Sequence, residues 1–216
     1  MYIPKYYEEN DVSVQQQLVK DLTLGLIITN GPSGLNANHI PFIIEEKDGS
    51  FGTLKAHLAR DNPQVKELKE ATECLVVFQG PHEYITPTWY HTKQITQKVV
   101  PTWNFAAVHV WGEPTIIDDP NWLKAQTGRL SDIQESSKSE PWQLSDAPEP
   151  YINVMLKGIV GLEIKVSRHL GKWKMSQEKK DKDVIGVIEG LKDLNTDRAD
   201  QVRKLVEERA RISGEA

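Results

Sequence analysis

Cysteine is nearly absent from this 216-residue chain, which contains only Cys74. A single cysteine excludes an internal disulfide and favours a reducing compartment, so we expect a cytoplasmic protein. No apolar stretch reaches the ~20 residues that a membrane-spanning helix needs. The first residues also lack the basic and apolar regions of a secretory signal. We therefore expect no membrane partner.

Several signatures of catalysis and nucleotide binding are missing as well. The six histidines and one cysteine show no zinc-like spacing, so we predict no metal site. The chain has neither a Gly-x-Ser-x-Gly elbow nor the glycine-rich loop of Rossmann and P-loop proteins. A net charge of −5 argues against a broad DNA-binding surface. Two copies of the chain could still assemble a local basic patch.

What the chain does contain is a series of short strands interrupted by helices. Apolar, β-branched segments predict strands at residues 24–29, 38–46, 51–59, 74–79, 105–111, 159–166 and 172–175. We expect breaks at Gly80-Pro81 and Gly112, and a hairpin turn at Asp48-Gly49. Residues 88–102 contain few core candidates and predict a long loop.

Helices are predicted at the start of the chain, in its middle and over its tail. The order of elements predicts an α+β fold that is mainly β, with a β-barrel and peripheral helices. The tail has two amphipathic segments, 184–194 and 196–211. We expect residues 1–180 to form the main domain and residues 181–216 to form a helical extension.

Four segments carry more polar and aromatic side chains than a strand requires: residues 36–42, 55–63, 78–90 and 98–105. In the second segment, Lys55, His57 and Arg60 can converge where a strand leads into a helix. Basic side chains and helix-start amides together favour a phosphate site. An equally good interpretation is a surface arginine near Asp61, with His57 packed against the barrel.

The other three segments offer contacts for a flat ring. Pro41 within a strand implies an edge or a bulge, which leaves backbone groups free for a partner. Trp89 could stack on a ring, and Gly80 would let the backbone approach it closely. An ordinary edge strand with a satisfied His39 explains the first segment somewhat better. Sealing of a core or a subunit contact explains Trp89 and Trp103 equally well.

Taken in order, these segments resemble the PaiB family of FMN-binding negative transcriptional regulators. The resemblance covers about residues 1–195 and includes Ala-Asn-His-Ile-Pro-Phe at 37–42, Ala-His-Leu-Ala-Arg at 56–60 and Lys-Val-Val-Pro-Thr-Trp-Asn at 98–104. The last string is long and chemically unusual, which makes the match specific. The resemblance implies a split β-barrel similar to that of pyridoxamine-phosphate oxidase. It also implies a homodimer that holds FMN between its two chains.

The resemblance further implies where the cofactor contacts lie. The residues expected at the phosphate are Lys55, His57, Arg60 and Asn62. Those expected near the flavin ring are Asn38, His39, Gln79, Thr86 and Trp89. Those expected to close the pocket from the partner chain are Lys98, Trp103, Asn104 and Gln177.

Two functions follow from the resemblance, and the residues leave both open. One is a flavin-linked negative regulator of transcription, which in bacterial members of the family acts on protease and sporulation genes. The C-terminal helices carry mixed charge, with Glu207 and Glu208 beside Arg209 and Arg211, and show no convincing helix-turn-helix. Any action on DNA is therefore expected to be indirect or to use a dimer-built surface. The alternative is an FMN-dependent oxidoreductase of the flavin or quinone reductase type that acts on a small molecule; no catalytic residue is assigned.

Overall fold

A computed structural model describes residues 1–47 and 50–210. Residue contacts divide the chain into two compact units. The first unit comprises Met1–Asp11, Gln79–Val108 and Leu170–Ala216; the second comprises Val12–Phe78 and His109–His169. The turn predicted at Asp48-Gly49 lies outside the described residues, as does the end of the last predicted helix at Arg211.

The described residues form eight strands and seven α-helices. The strands are β1 (Glu8–Glu9), β2 (Leu24–Gly31), β3 (Gly34–Pro41), β4 (Ile43–Lys47), β5 (Ser50–Ala59), β6 (Cys74–Ile85), β7 (Thr102–Ile117) and β8 (Ile159–Lys174). The helices are α1 (Val12–Leu22), α2 (Gln64–Glu70), α3 (His91–Thr96), α4 (Pro120–Glu135), α5 (Glu149–Lys157), α6 (Asp181–Asp193) and α7 (Asp197–Arg209). The two tail helices are confirmed.

The second unit contains a largely antiparallel sheet in the order β3-β2-β6-β7-β8-β5-β4, and the sheet is not closed. Strands β3 and β4 stand at opposite ends of this order, although only Phe42 separates them in the chain. Side chains alternate along each strand, so that Leu54, Ala56 and Leu58 of β5 point into the core. The residues between them, including Lys55, therefore face outward.

The first unit is built on the last part of β6, the first part of β7 and the end of β8, where β1 pairs with β8. Helices α6 and α7 pack against each other and bury Val187 and Val202. Two glycines of α6, Gly186 and Gly190, let Trp89 approach the helix closely. A Cβ at Gly190 would lie 2.2 Å from the Trp89 ring, so no larger residue fits there without movement.

The predicted breaks within the long strands are wrong. β6 continues through Gly80 and Pro81, β7 continues through Gly112, and β8 joins the two strands that were expected at 159–166 and 172–175. Gly112 serves close packing, because a Cβ there would lie 2.3 Å from the carbonyl oxygen of Lys165. A glycine in a strand can thus mark a close approach of two backbones.

Two further differences concern elements that were not expected. Helix α3 occupies the middle of the segment predicted as a long loop. The strand predicted at 38–46 is divided into β3 and β4 at Phe42, and the first part begins earlier, at Gly34. Among the described residues, no helix has the length and apolar character to cross a membrane.

Candidate functional site

Strand β5 presents Lys55 and His57 on its outer face, where helix α4 covers them. The Nδ1 atom of His57 lies 2.7 Å from Oε1 of Gln126, a residue in the second turn of α4. The Nζ atom of Lys55 lies 2.8 Å from a Glu45 carboxylate oxygen and 3.4 Å from a Glu163 oxygen. The structure therefore brings together two of the four residues predicted at the phosphate.

A cavity of about 220 Å³ opens beside Lys55 between β4, β5 and α4. Its lining residues are Ile43, Glu45, Lys55, Trp122, Ala125, Gln126 and Arg129. The α4 members are spaced three and four residues apart, so they share one face of the helix. We refer to this cavity as the α4 pocket.

Gln126 provides the most informative polar group of the α4 pocket. The residue is only 5% exposed, and its Nε2 atom is buried without a hydrogen-bond partner among the described residues. The two ends of a side-chain amide are assigned from their surroundings, so either Nε2 or Oε1 could be the atom that faces His57. With Oε1 toward His57, the unpaired atom is the Nε2 donor, which is the orientation that a phosphate oxygen could accept from. A buried unpaired amide is costly, and a ligand atom would relieve that cost.

The charges of the α4 pocket are arranged in opposed pairs. Burial alone would lower the pKa of Lys55, but hydrogen bonds and attraction to Glu45 and Glu163 outweigh it and raise that pKa. The hydrogen bond from Lys55 correspondingly lowers the pKa of Glu45. Arg129 also faces Glu45, at 4.0 Å. An anionic ligand would have to compete with the exposed carboxylate of Glu45 for both cations.

Arg60 does not join the α4 pocket. Its guanidinium forms a two-pronged contact with Asp118 at 2.7 and 2.9 Å. It also donates to the carbonyl oxygens of Lys157 at 2.8 Å and Ile159 at 2.9 Å. Four of its five N–H groups are therefore engaged within the second unit. Arg60 thus connects the end of β5 to α5, to the start of β8 and to Asp118.

Asn38 and Asn62 take part in a polar network around helix α2. The side chain of Asn62 accepts a hydrogen bond from the backbone N–H of Gln64 at 2.9 Å. Asn38 donates to Oε1 of the fully buried Gln64 at 3.0 Å. Gln64 in turn donates to Thr29, which is hydrogen-bonded to Glu67. These contacts attach α2 to β2 and β3, so both asparagines already have internal partners.

His39 differs from its neighbour Asn38. It lies on the exposed side of β3, and no side-chain contact to it is found in the described part of the chain. β3 stands at one end of the sheet order. His39 is therefore available to a ligand or to a second chain.

Four predicted residues of the first unit have structural roles. Trp89 packs on Gly186 and Gly190, and Thr86 caps the 3-10 turn that contains Trp89. The buried Asn104 is hydrogen-bonded to the Ser176 hydroxyl at 3.0 Å. Gln177 bridges Met175 and Trp173 through their backbones. These contacts stabilise the unit and leave little of the four side chains free.

The other three predicted residues of the first unit are exposed. Gln79 lies 3.5 Å from His82, and the Trp103 ring is 49% exposed. Lys98 follows Gln97, a residue with φ of 58° that ends α3. These residues can therefore meet an external molecule.

The sequence analysis missed Gln126, Arg129 and Trp122. They stand on α4, far along the chain from β5, and each is common on an ordinary solvent-facing helix. The available signal was the helix start at Asp119-Pro120, which fixes the register of the face that turns toward the sheet. Nothing in the sequence alone indicated that this face would cover Lys55.

Comparisons with known proteins place the chain in context. A family model, FMN_bind_2, described as "Putative FMN-binding domain", matches residues 1–168. A Bacillus subtilis protein named protease synthase and sporulation protein PAI 2 is 31% identical, over 97% of this chain and 98% of its own length. An uncharacterized protein of Emericella nidulans is 39% identical, over 98% of both chains.

Solved structures of the same architecture are much more distant in sequence. The flavocytochrome Anf3 of Azotobacter vinelandii matches with a TM-score of 0.58 at 10% identity, over 80% of this chain and 72% of that one. The FAD and heme binding protein of Mycobacterium smegmatis matches with a TM-score of 0.54 at 14% identity, over 83% and 79%. At these identities the likeness concerns the fold alone, and it confirms the predicted α+β split-barrel class.

Proposed function

The chain belongs to the FMN_bind_2 family, and we propose from this premise that it holds the phosphate group of FMN in the α4 pocket. The membership confirms the family resemblance and the cofactor predicted from the sequence. FMN supplies electron- or hydride-transfer chemistry when it is bound, and the protein supplies binding and orientation. Lys55, Arg129 and Gln126 would hold the phosphate, with His57 fixing the Gln126 amide.

The unpaired amide of Gln126 carries this proposal. Its Nε2 atom is a buried donor on a residue that lines the same cavity as Lys55 and Arg129, and that donor set fits a phosphate group. The cavity of about 220 Å³ is smaller than the roughly 300–1,000 Å³ of pockets that enclose a whole small molecule. The pocket therefore suits one end of FMN, with the ring outside it.

The test compares FMN with riboflavin, which lacks the phosphate. We expect Arg129→Gln and Lys55→Gln to weaken FMN binding by about tenfold or more, because each removes a charge-assisted contact of roughly 1.5–3 kcal/mol. Riboflavin affinity should stay the same. Flavin fluorescence titration measures both. Equal losses for the two flavins would contradict a phosphate contact.

Arg60→Ala serves as the matched control for the phosphate site. Because Arg60 is engaged by Asp118 and two carbonyl groups, we expect this variant to lower the melting temperature and leave FMN affinity unchanged. A selective loss of FMN affinity in Arg60→Ala would move the phosphate to that arginine.

We further propose that the protein acts as a homodimer. Strand β3 is an end strand of the sheet, and its Leu35 is 79% exposed. Exposed edge strands with apolar side chains favour pairing with another chain. Native mass spectrometry should report two chains and two flavins, and a monomer that binds FMN fully would contradict the proposal.

We propose that the biological role of the bound flavin is to regulate transcription. Its support is the PAI 2 relative, which matches over nearly the whole chain. We infer that regulation runs through the flavin state, because the cations of α7 already have acidic partners. Arg198 pairs with Glu83 at 2.9 Å, Lys204 pairs with Asp200 at 2.9 Å, and Arg209 pairs with Glu9. Salt-sensitive retardation of DNA by the protein alone would contradict this route.

An FMN-dependent oxidoreductase remains the second candidate, favoured by the exposed ring of Trp103, on which a flat substrate could lie. Anaerobic addition of NADH or NADPH to the FMN-loaded protein separates the two roles. Rapid bleaching of the flavin absorbance supports the enzyme, whereas an unreactive flavin supports the regulator.

A further inference from the structure

In the first unit, the parts of β6, β7 and β8 have one fully buried side and one partly exposed side, where the buried Tyr7 lies near the two lysines of β8. The residues on the fully buried side are Glu83, Ile85, Asn104, Ala106, Trp173 and Met175. The alternate residues lie on the other side: His82, Tyr84, Trp103, Phe105, Lys172 and Lys174. We call this second set the aromatic–lysine face.

Three rings are grouped at one end of the aromatic–lysine face. The Trp103 ring centroid lies 5.9 Å from that of His82 and 6.0 Å from that of Tyr84. The Tyr84 ring meets Trp103 edge to face, at 69°, and the broad ring of Trp103 is about half exposed. Large exposed aromatics grouped in this way usually mark a binding surface.

Two lysines adjoin this group on β8. The Nζ atom of Lys174 lies 2.8 Å from the carbonyl oxygen of Trp103 and also donates to the Thr102 hydroxyl. Lys172 lies 5.1 Å from the centroid of the Phe105 ring and donates to the carbonyl oxygen of Tyr2. Both ammonium groups also lie within about 6 Å of the Tyr7 ring centroid. An ammonium has three donors, so these hydrogen bonds leave at least one donor on each lysine for a ligand.

The lysines of this face outnumber its acidic groups, which are Glu178 and Glu8, the cross-strand partner of Lys172. Lys174 is near Lys172, Lys179 and Glu178. Glu178 also contacts Lys179 at 3.3 Å and interacts with Tyr7, so its one negative charge is shared among several groups. The pKa of Lys174 is lowered mainly by burial. Repulsion from Lys172 and Lys179 lowers this pKa further, whereas attraction to Glu178 raises it. A bound anion would relieve both the burial and the repulsion.

We propose that the aromatic–lysine face binds a flat aromatic anion, which stacks on Trp103 and directs its negative group to Lys172 and Lys174. The chemical class is a ring that carries a phosphate or a carboxylate, as in a mononucleotide. This site lies within the first unit, and its existence does not depend on where FMN binds. It would give the protein a second ligand beside its flavin.

The arrangement favours a single ring over a nucleic acid strand. One broad ring offers a stacking position, while Tyr84 stands edge-on beside it and His82 is tilted by 38°. Proteins that bind single strands use successive stacking positions along a basic groove. A longer oligonucleotide should accordingly bind no more tightly than a mononucleotide.

The test uses the FMN-loaded protein, so that the cofactor site is already filled. Calorimetric titration with adenosine 5′-monophosphate should give saturable binding at one site per chain. Adenosine, which lacks the charge, and inorganic phosphate, which lacks the ring, should each bind at least about tenfold more weakly.

Matched variants identify the face. Trp103→Ala and Lys174→Gln should each weaken binding of the mononucleotide roughly tenfold. Trp142→Ala is the control, because Trp142 is 42% exposed but belongs to the second unit. Thermal melting verifies that each variant is folded. A Trp103→Phe variant, which keeps a ring, should retain most of the affinity.

Four results would overturn the proposal. The first is the absence of mononucleotide binding by the folded, FMN-loaded protein. The second is equal binding by wild type and both Trp103→Ala and Lys174→Gln. The third is release of one FMN for each mononucleotide bound, since FMN and the probe would then share a single site. The fourth is an oligonucleotide that binds far more tightly than the mononucleotide, because the ligand of this face would then be a nucleic acid strand.

Discussion

The second unit pairs most of its candidate side chains internally, whereas the first unit leaves the rings of Tyr84 and Trp103 at the surface. Lys55, His57 and Arg60 each have a charged or amide partner within hydrogen-bonding distance. Trp103, by contrast, is half exposed, and its ring contacts His82 and Tyr84. We expect the α4 pocket to hold its ligand in one geometry. We expect the aromatic–lysine face to bind and release its ligand more rapidly.

The difference has a local structural cause. In the second unit, α4 lies over the outer face of β5 and supplies partners for the side chains it covers. In the first unit, α7 contacts the buried side of the strands through Arg198 and Arg209, whereas the other side leaves Tyr84 and Trp103 exposed. The same alternation along a strand thus produces a pocket in one unit and an open face in the other.

The largest effect should come from glycines that fit a helix to its neighbour. Gly190→Ala forces a Cβ to within 2.2 Å of the Trp89 ring, and we expect a loss of about 1–3 kcal/mol in the free energy of unfolding. Gly128→Ala in α4 is the control, because its Cβ would meet only Leu144, at 3.7 Å. That change should stabilise the protein by up to about 1 kcal/mol through helix propensity. Urea denaturation measures both, and similar effects would show that Trp89 can move away.

A second prediction separates the units by their response to FMN. Glu45→Gln removes the carboxylate that competes for Lys55, so FMN affinity should rise about two- to fivefold, as expected for an exposed ion pair. Trp103→Ala should leave FMN affinity unchanged. Flavin fluorescence titration measures both variants. Weaker FMN binding in Trp103→Ala would assign the flavin to the first unit.

A smaller effect concerns pH and the pairing in the second unit. Burial lowers the pKa of His169, which lies 2.9 Å from Gln15 and stacks near Phe51. The unfolded chain therefore takes up a proton more readily than the folded one. The contribution of His169 to stability is complete above about pH 6.5 and is lost as the pH falls through its lowered folded-state pKa.

His169→Gln removes this titration and should flatten the fall in stability below about pH 6.5. Urea midpoints at neutral and acidic pH, compared between wild type and variant, provide the measurement. An unchanged slope would show that other groups control the acid response.

The last prediction concerns the Cys74 thiol, which we expect to be unreactive in the folded protein. Burial in the core of the second unit raises the pKa of the Cys74 thiol to about 12, so almost no thiolate forms at pH 8. A thiol-specific chromogenic reagent should fail to react with the native protein and should label one cysteine after unfolding. Rapid native labelling would mean that β6 opens readily.

Strand alternation and turn chemistry were enough to predict the α+β class and to place Lys55 and His57 on one strand. The long strands were harder to predict, because Gly112 looks like a stop in the sequence and in fact allows β8 to approach closely. The role of Gln126 could not be predicted from the sequence, because only the packing of α4 brings its Oε1 atom within 2.7 Å of the His57 ring. The sequence offered a phosphate or Asp61 as the neighbour of Arg60, and nothing in it indicates that Asp118 is the partner.

The position of the FMN phosphate tests the account most directly. A crystal structure of the FMN complex should place the phosphate in contact with Lys55, Gln126 and Arg129, and should show the Gln126 amide hydrogen-bonded to a phosphate oxygen. A phosphate bound at Arg60 or against Lys172 and Lys174, with the α4 pocket filled only by water, would contradict it.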